Sequence, residues 1–391
     1  MVAGLAGMTF ANAQPSLLGL VMRPLSMAFG WSRAEISASA LITSLSVLVF
    51  APLAGRLADR FSPRRVAMAG VLLFSAAQAC VGLSGPGLAS WYVSWVFAGV
   101  SYAAVSPVIW SYGVNRWFDR GRGLALAVAL SGTGLASSLT PVLAARGLAA
   151  VGWRGMYFGV GALGLMVVLP VVWLFFRTPE EGTVGAGGRE VEGMTAREII
   201  SSRAFWALAC AIFLLGAGMG TLSLHLQPMM RDAGLSAIRA ANYASLMGFG
   251  QIVGRLLVGQ LLDRLPTRLV VAVCFVLPVV AAALLIGYKG GSVESLLIAI
   301  TIGLSLGAEV DVMAYLTSRY FGLKSFGLCY AILFGAWGVS FGLSSVAAGA
   351  VFDLTGSYAA LLGYLIGGLV LSSSIVALTR APKRIGAVSL G

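Results

Sequence analysis

The sequence predicts an all-α membrane protein, with twelve transmembrane helices arranged as two pseudo-symmetric six-helix bundles. Three observations carry this. Only 10% of the 391 residues are charged and 59% are hydrophobic, against roughly 25% charged in a soluble domain. Apolar runs long enough for a ~30 Å hydrocarbon core, roughly 20 residues each, recur along the chain. The second half also repeats the first at one constant offset.

The runs in the first half are 1–22, 36–55, 66–84, 88–115, 123–145 and 155–176. Those in the second are 204–230, 240–262, 269–288, 295–318, 325–352 and 354–379. Charge enters two of them, as Arg255 in the eighth run and as Glu309 with Asp311 in the tenth. Barrel strands alternate polar and apolar residues over about ten positions. Here apolar character is continuous, as in Val66–Leu83 and Tyr157–Phe176. Lipid tolerates no unsatisfied backbone, so such runs must be helices.

Cys80, Cys210, Cys274 and Cys329 sit in four different apolar runs and read as small core residues. No metal spacing or disulfide framework is visible, so neither a metal site nor a cofactor is expected. The first run lacks a positive leading region, which argues against a cleavable signal peptide and leaves room for a short cytoplasmic tail before it.

The net charge of +12 does not imply nucleic acid, because its placement follows membrane topology. With the N-terminus inside, 18 of the 26 Lys and Arg fall on the inner side, 7 on the outer side, and Arg255 within the membrane. This positive-inside bias predicts a multi-pass protein of the cell (inner) membrane with both termini cytoplasmic.

The only long polar stretch, 177–203, holds Gly182, Gly185, Gly187 and Gly188 among five glutamates. It reads as a cytoplasmic linker closed by a short surface helix near Thr195–Ser202. The expected organisation is a first bundle at 1–176, the linker at 177–203, a second bundle at 204–379 and a cytoplasmic tail at 380–391. A shift of 204 residues lays Pro24, Gly30 and Ser32 on Pro228, Gly234 and Ser236, and Gly55, Asp59, Arg60 and Arg64 on Gly259, Asp263, Arg264 and Arg268. It likewise lays Gly123, Leu124 and Gly134 on Gly327, Leu328 and Gly338, and Gly152 on Gly356. Repeated halves place a substrate site near the bilayer midplane at their interface, with alternating access by rocking.

The turn Gly55-Arg-Leu-Ala-Asp59-Arg60-Phe-Ser-Pro-Arg64 and its counterpart Gly259-Gln-Leu-Leu-Asp263-Arg264-Leu-Pro-Thr-Arg268 resemble the G-x-x-x-D-R-x-x-x-R loop motif of the major facilitator superfamily. The glycine would let helices approach closely, and the Asp would meet the positive N-terminus of a neighbouring helix. These residues are expected to gate rather than to bind cargo. Positive-inside charges alone would account for the arginines, but not for the repeated Gly and Asp.

Two further segments resemble signatures of the monocarboxylate transporter group and its bacterial relatives, which include the oxalate:formate antiporter. One is Phe29-Gly30-Trp31-Ser32-Arg33-Ala34-Glu35-Ile36-Ser37. The other is Arg116-Trp117-Phe118-Asp119-Arg120-Gly121-Arg122-Gly123-Leu124-Ala125, followed by Ala129, Ser131, Gly132 and Gly134. The resemblance implies transport of small carboxylates, often with a proton. Read on chemistry alone, Ser32 or Ser37 caps the helix that follows, with Glu35 at capping-box spacing from Ser32. Gly123, Gly132 and Gly134 thin a helix face for close packing.

Charges inside a membrane segment cost from ~3 to over 10 kcal/mol and so mark candidate sites. Arg255 lies eight residues before Asp263, roughly 12 Å from the turn, and offers a planar fork to a carboxylate. In the carboxylate transporters that the chain resembles, an arginine at the matching position binds substrate. The alternative is an arginine satisfied by an intramembrane acid. Glu309 and Asp311 lie roughly 12–15 Å from Arg319. Separated by ~200° around a helix, one should face the chamber and the other a neighbouring helix. Both are candidate proton-coupling residues. Glu309 is favoured, because protonation of a buried carboxyl responds to whether a nearby guanidinium is free or occupied by an anion. The alternative for Glu309 is a structural pair with Arg255 or a helix end.

Relatives that carry oxalate place a lysine on the eleventh helix. Here 325–352 holds no basic residue and Trp337 lies in its middle, which directs the expectation to a monocarboxylate with an apolar or aromatic body. Gln251, one turn before Arg255, is placed to orient it. Candidate groups for the chamber are Asn12 and Gln14, which break the apolarity of the first run, and Tyr102, Trp110, Tyr112 and Asn115, which lie in the fourth. Tyr315 and Trp337 could wall an organic group, although bundle packing or interfacial anchoring would also explain each aromatic. The single histidine, His225, reads as a solvated or hydrogen-bonded interface residue rather than as the proton carrier.

The expected binding residues are thus Arg255, Gln251, Asn12, Tyr102, Trp337 and Tyr315, in a monomer that moves a small organic anion with H⁺. No G-x-x-x-x-G-K-[ST] is present, so gradients must supply the energy. A drug or cation exporter of the same fold is the alternative, with Glu309 and Asp311 binding a cation and Arg255 structural. A membrane enzyme or sensor has little material in one histidine and a 27-residue central loop.

Overall fold

The computed structural model describes residues 1–107, 109–111, 113, 128–176, 193–322 and 324–379. The side chains of Asp59, Asp263 and Arg268 lie outside this description, as do Tyr112, Asn115, the motif at 116–125, linker residues 177–192 and the tail 380–391.

The chain is helical nearly throughout. The first run is divided into α1 (Val2–Ala11) and α2 (Gln14–Phe29). Pro15 removes a backbone donor at the start of α2, so the break at Asn12 and Ala13 leaves no helical bond to lose there. Next come α3 (Arg33–Phe61), α4 (Pro63–Gly82) and α5 (Leu88–Ala103). Ser32 caps α3 by accepting from the Glu35 amide while the Glu35 carboxylate takes the Ser32 amide. The cap, not the hydropathy, therefore sets the helix start, three residues before the apolar run. The fifth and sixth runs follow in α6 (Gly132–Leu163), which breaks at Gly152 (φ 71°, ψ 177°), a π-turn at Gly164–Val168, and α7 (Leu169–Phe175).

The predicted surface helix is α8 (Ala196–Ile200), with Thr195 and Glu198 forming its capping box. Thr195 bonds to the Glu198 carboxylate and holds it below the usual carboxylate range. The second half contains α9 (Arg203–Asp232), α10 (Ala237–Arg264), α11 (Thr267–Leu285), α12 (Ser292–Phe321), α13 (Phe326–Thr355) and α14 (Ala359–Leu378). Eight of the described helical segments are long and apolar enough to cross a membrane by themselves. Exposed Leu72, Leu73, Met166, Phe175 and Val293 present the apolar exterior that a bilayer requires.

The 204-residue repeat is written into the backbone. Gly30 and Gly234 adopt φ of 72° and 93°, and Gly152 and Gly356 adopt φ of 71° and 68°, a left-handed conformation that glycine enters without strain. Ser32 and Ser236 cap equivalent helices, and Pro24 and Pro228 lie within equivalent ones. Each half also buries its own core, around Phe74 and Trp110 in the first and around Phe205, Phe275 and Phe321 in the second.

Among the described residues, the halves meet chiefly along three helix pairs. On α3 and α13, side chains at Gly349, Gly342 and Gly335 would strike Ala34, Leu41 and Leu48. On α6 and α10, Gly134 and Gly248 serve the same purpose, and on α2 and α9 Gly19 lies against the Leu224 carbonyl. Following the α3–α13 register, Gly55 falls opposite Leu328, yet a Cβ at Gly55 would meet no other described residue within 4 Å and Leu328 is 51% exposed. A Cβ at Gly259 would likewise meet none. The halves are therefore joined at the Arg33 end and diverge toward the Gly55 and Gly259 turns.

Candidate functional site

The site is built on the contact between α10 and α12. Gly250 and Gly254 of α10 face Gly303 and Gly307 of α12, at the four-residue spacing that lets helices touch backbone to backbone. A Cβ at Gly254 would stand 2.8 Å from Leu304 Cα, and one at Gly307 would stand 2.8 Å from the Arg255 amide. This approach sets Arg255 beside Asp311, with Nε donating to Oδ2 at 3.1 Å. The Arg255 side chain is 10% exposed and that of Asp311 34%.

The same guanidinium crosses to the other half. Its Nη1 donates to the Leu130 carbonyl at 2.8 Å and to Thr133 Oγ1 at 3.4 Å, where the fifth run opens into α6. Arg255 is thus both the partner of an intramembrane acid and a bond between halves. Glu309 does not pair with it. Its carboxylate is buried and accepts from Trp337 Nε1 at 3.3 Å. The two acids have different surroundings: Asp311 is partly exposed and pairs with α10 through Arg255, while Glu309 is buried against Trp337 of α13. Tyr315, four residues after Asp311, shares its face and is half-buried.

Other expected residues lie elsewhere. Gln251 does not hold Arg255: its Oε1 is buried without a partner, while Asp311, Leu130 and Thr133 take the guanidinium. Tyr102 donates to Asn12 Oδ1 at 3.2 Å, and Asn12 Nδ2 donates to the Met8 carbonyl at 2.9 Å. These bonds tie α1 to α5 within the first half, and neither reaches Arg255. Gln14 is buried with both amide atoms unpartnered.

At the gate motifs, no close helix approach is seen at Gly55 or Gly259 among the described residues. Arg60 and Arg264 are exposed, and Arg64 donates to the Trp173 carbonyl. Ser62, in the middle of the first motif, takes φ 90°, and no other non-glycine among the described residues has a positive φ.

The opposite end holds a cluster that the sequence reading missed. Arg33 donates through both Nη atoms to Asp232, at 2.7 and 2.9 Å, and through Nη1 to the Tyr358 hydroxyl at 2.7 Å. Its guanidinium carbon lies 3.7 Å from the Phe352 ring centroid. Asp353 accepts from the Arg33 and Ala34 amides at 3.0 and 2.8 Å, capping α3 from across the interface. His225, fully buried, contacts Tyr358 Oη at 2.9 Å, the Ser345 carbonyl at 2.9 Å and Ser37 Oγ at 3.2 Å. It is thus a buried interface residue, not a solvated one. A signal was available, because these positions break the repeat. Arg33 aligns with Ala237, Asp232 with Ala28 and His225 with Val21, and in the same way Arg255, Glu309 and Asp311 align with Ala51, Val105 and Pro107.

Comparison with known proteins agrees with this architecture. The chain is 26% identical over 376 residues to the uncharacterised MFS-type transporter YcxA of Bacillus subtilis, covering 90% of this chain and 88% of that one. It is 25% identical to a gallate transporter of Pseudomonas putida, covering 93% and 83%, and 28% identical to human monocarboxylate transporter 11, covering 63% and 52%. Among solved structures, the nucleoside transporter NupG superposes with a TM-score of 0.78 at 12% identity, over 97% of this chain and 99% of that one. The profile of the Major Facilitator Superfamily matches residues 2–327. With two repeated helical halves, an intramembrane ion pair at their seam and this match over most of its length, the chain belongs to the Major Facilitator Superfamily of membrane transporters.

Proposed function

We propose that the protein is a secondary transporter of a small, monocarboxylate-like organic acid anion, coupled to H⁺ and working by rocking of its halves, 1–176 against 204–379. The observation that carries this reading is the Arg255 guanidinium, shared between Asp311 and the Leu130 carbonyl of the other half. An incoming carboxylate competes with Asp311 for that guanidinium, and a proton taken up at Glu309, with Asp311 the second candidate, keeps charge in the membrane balanced. Any turn of Arg255 toward cargo also loosens its bond to Leu130, which links occupancy to the contact between halves. Among relatives, the gallate transporter and the monocarboxylate transporters support the substrate class.

Positive-inside placement assigns the Arg33 end to the outer face of the cell membrane and both termini to the cytoplasm, so the diverging end opens inward. The Gly55–Arg64 and Gly259–Arg268 turns, including Asp59, Arg60, Asp263 and Arg264, act there as the closing elements of the opposite conformer. The transporter acts as a monomer.

A second reading, a proton-coupled drug or cation exporter, draws on the same ion pair. An arginine already satisfied by Asp311 is what a structural role would show, and Asp311 with Glu309 would then attract a cation. Thermal unfolding of the purified full-length protein separates the two. The anion reading expects monocarboxylates to raise the midpoint and tetraphenylphosphonium to leave it unchanged. The reverse pattern would establish the cation reading in its place.

A further inference from the structure

The face of α13 turned toward α12 is a continuous line of rings. Phe326, Tyr330, Phe334, Trp337 and Phe341 follow one another at spacings of four, four, three and four residues, which keeps them within about 80° of each other around the helix. They are layered rather than crossed. Centroids of successive rings are 5.7, 6.0, 5.5 and 5.3 Å apart, and the first three interplanar angles are 13°, 18° and 23°. The buried pair Phe10 and Phe74, by contrast, meets edge to face at 84°.

Tyr330, Phe334, Trp337 and Phe341 border the core of the second half, and three observations place the ladder beside the charged site rather than against lipid. All five rings are only half-buried. On one side of them α13 contacts α3 through Gly335 and Gly342, on the other it contacts Gly216 of α9 through Ser340 and the edge of Trp337, and the lipid-facing side carries Leu343, 46% exposed. The ladder occupies the remaining face. It also runs from Phe326, at the diverging end, to Trp337, whose indole donates to Glu309, and Tyr330 lies within electrostatic reach of both Asp311 and Arg255. A cargo molecule moving from the diverging end to Arg255 along this face would pass these rings.

We infer that the α13 ladder is the element that selects the cargo's body, and that it selects flat, conjugated rings: the protein's preferred substrates are aromatic monocarboxylates. This rests on the anion reading of Arg255. A ring carrying one carboxylate at its edge can lie against Phe334 and Trp337 while the carboxylate reaches the guanidinium. A puckered saturated ring of the same charge and similar size loses the face-to-face contact. Offset stacking of one ring pair corresponds to a preference of about tenfold.

The test compares matched acids on the purified full-length protein, with Kd taken from thermal-shift titrations: benzoate against cyclohexanecarboxylate, and trans-cinnamate against 3-cyclohexylpropionate, with pyruvate as a ringless control. The expected result is a Kd about tenfold lower for each aromatic acid than for its saturated partner, with the gap closing in Phe334→Leu and in Tyr330→Leu. Equal Kd values within each pair in the unaltered protein would overturn the inference while leaving the anion reading standing, provided that binding still depends on Arg255. An undiminished gap in both folded leucine variants would overturn the role of the ladder. Failure of every carboxylate, pyruvate included, to bind would overturn the anion reading and this inference together. Because the first comparison needs no variant, misfolding of a leucine variant does not leave the question open.

Discussion

Arg33 and Asp232, 199 residues apart in sequence, form a two-pronged ion pair that joins the first half of the transporter to the second at 2.7 and 2.9 Å. The pair is only part of a larger bond between halves. Tyr358 accepts from Arg33 and also touches His225, and Asp353 caps the helix that Arg33 begins. Asp232 is 38% exposed at its side chain, so the ion pair alone contributes up to about 1 kcal/mol.

Asp232→Asn should therefore shift the balance toward the conformer open at the Arg33 end by roughly fivefold. Labelling a cysteine introduced at exposed Met27 and at Ile238 with spin labels, and measuring the distance between them, reads this directly. The expected outcome is a larger long-distance fraction in the variant. An unchanged distribution would mean that the Asp353 cap and the His225 cluster hold this end without the ion pair.

Asp311 competes with cargo for Arg255 in the proposed cycle. Asp311→Asn removes the competitor's charge, so carboxylate affinity should rise on the order of tenfold, a coupling of ordinary size between two linked events. Thermal-shift titration at fixed pH measures it. Weaker binding in a folded Asp311→Asn protein would show that Asp311 positions the guanidinium rather than competing for it.

Glu309 sits buried against Trp337. Glu309→Gln keeps an acceptor for the indole but cannot exchange a proton. Binding should survive, while the stimulation of uptake by an imposed pH gradient should fall to the level seen without a gradient. If gradient dependence persists unchanged, coupling runs through another group, with Asp311 the next to examine.

Gly307 lies where α10 and α12 touch, and a Cβ there would meet the Gln251 carbonyl and stand 2.8 Å from the Arg255 amide. Gly307→Ala should lower stability by about 1–3 kcal/mol, the scale of an overpacked contact. It should also weaken carboxylate binding by displacing Arg255. Gly363→Ala, at a position with nothing within 4 Å, is the control and should leave both unchanged.

Much of the fold could be read in the chain because lipid imposes a simple rule. Long apolar runs must become helices, and a duplicated sequence must become duplicated geometry, down to the paired left-handed glycines at 30 and 234. The site was legible only where its chemistry resides in side chains that are out of place in a membrane. Arg255, Glu309 and Asp311 announce themselves by charge. Their pairing does not, since Asp311 rather than Glu309 meets Arg255 through a glycine seam whose depth depends on how two helices cross. The Leu130 carbonyl could not have been foreseen, because a backbone acceptor leaves no trace in sequence. Gln251 looked well placed by helical spacing, yet tertiary partners on another helix took the guanidinium. The Arg33 cluster is assembled from loop-end residues whose charges look like ordinary surface polarity until the halves are docked.

The central claim is that Arg255 binds a negatively charged cargo, and uptake by proteoliposomes tests it most directly. Labelled benzoate and pyruvate would be offered to vesicles containing the unaltered protein, Arg255→Gln or Arg255→Lys, each shown to be folded by its size-exclusion profile and its unfolding midpoint. The account predicts that both substitutions abolish carrier-dependent uptake, the lysine because a point charge cannot reproduce the planar fork. Full uptake by a folded Arg255→Gln protein would contradict it and leave Arg255 as a structural bond between Asp311 and Leu130.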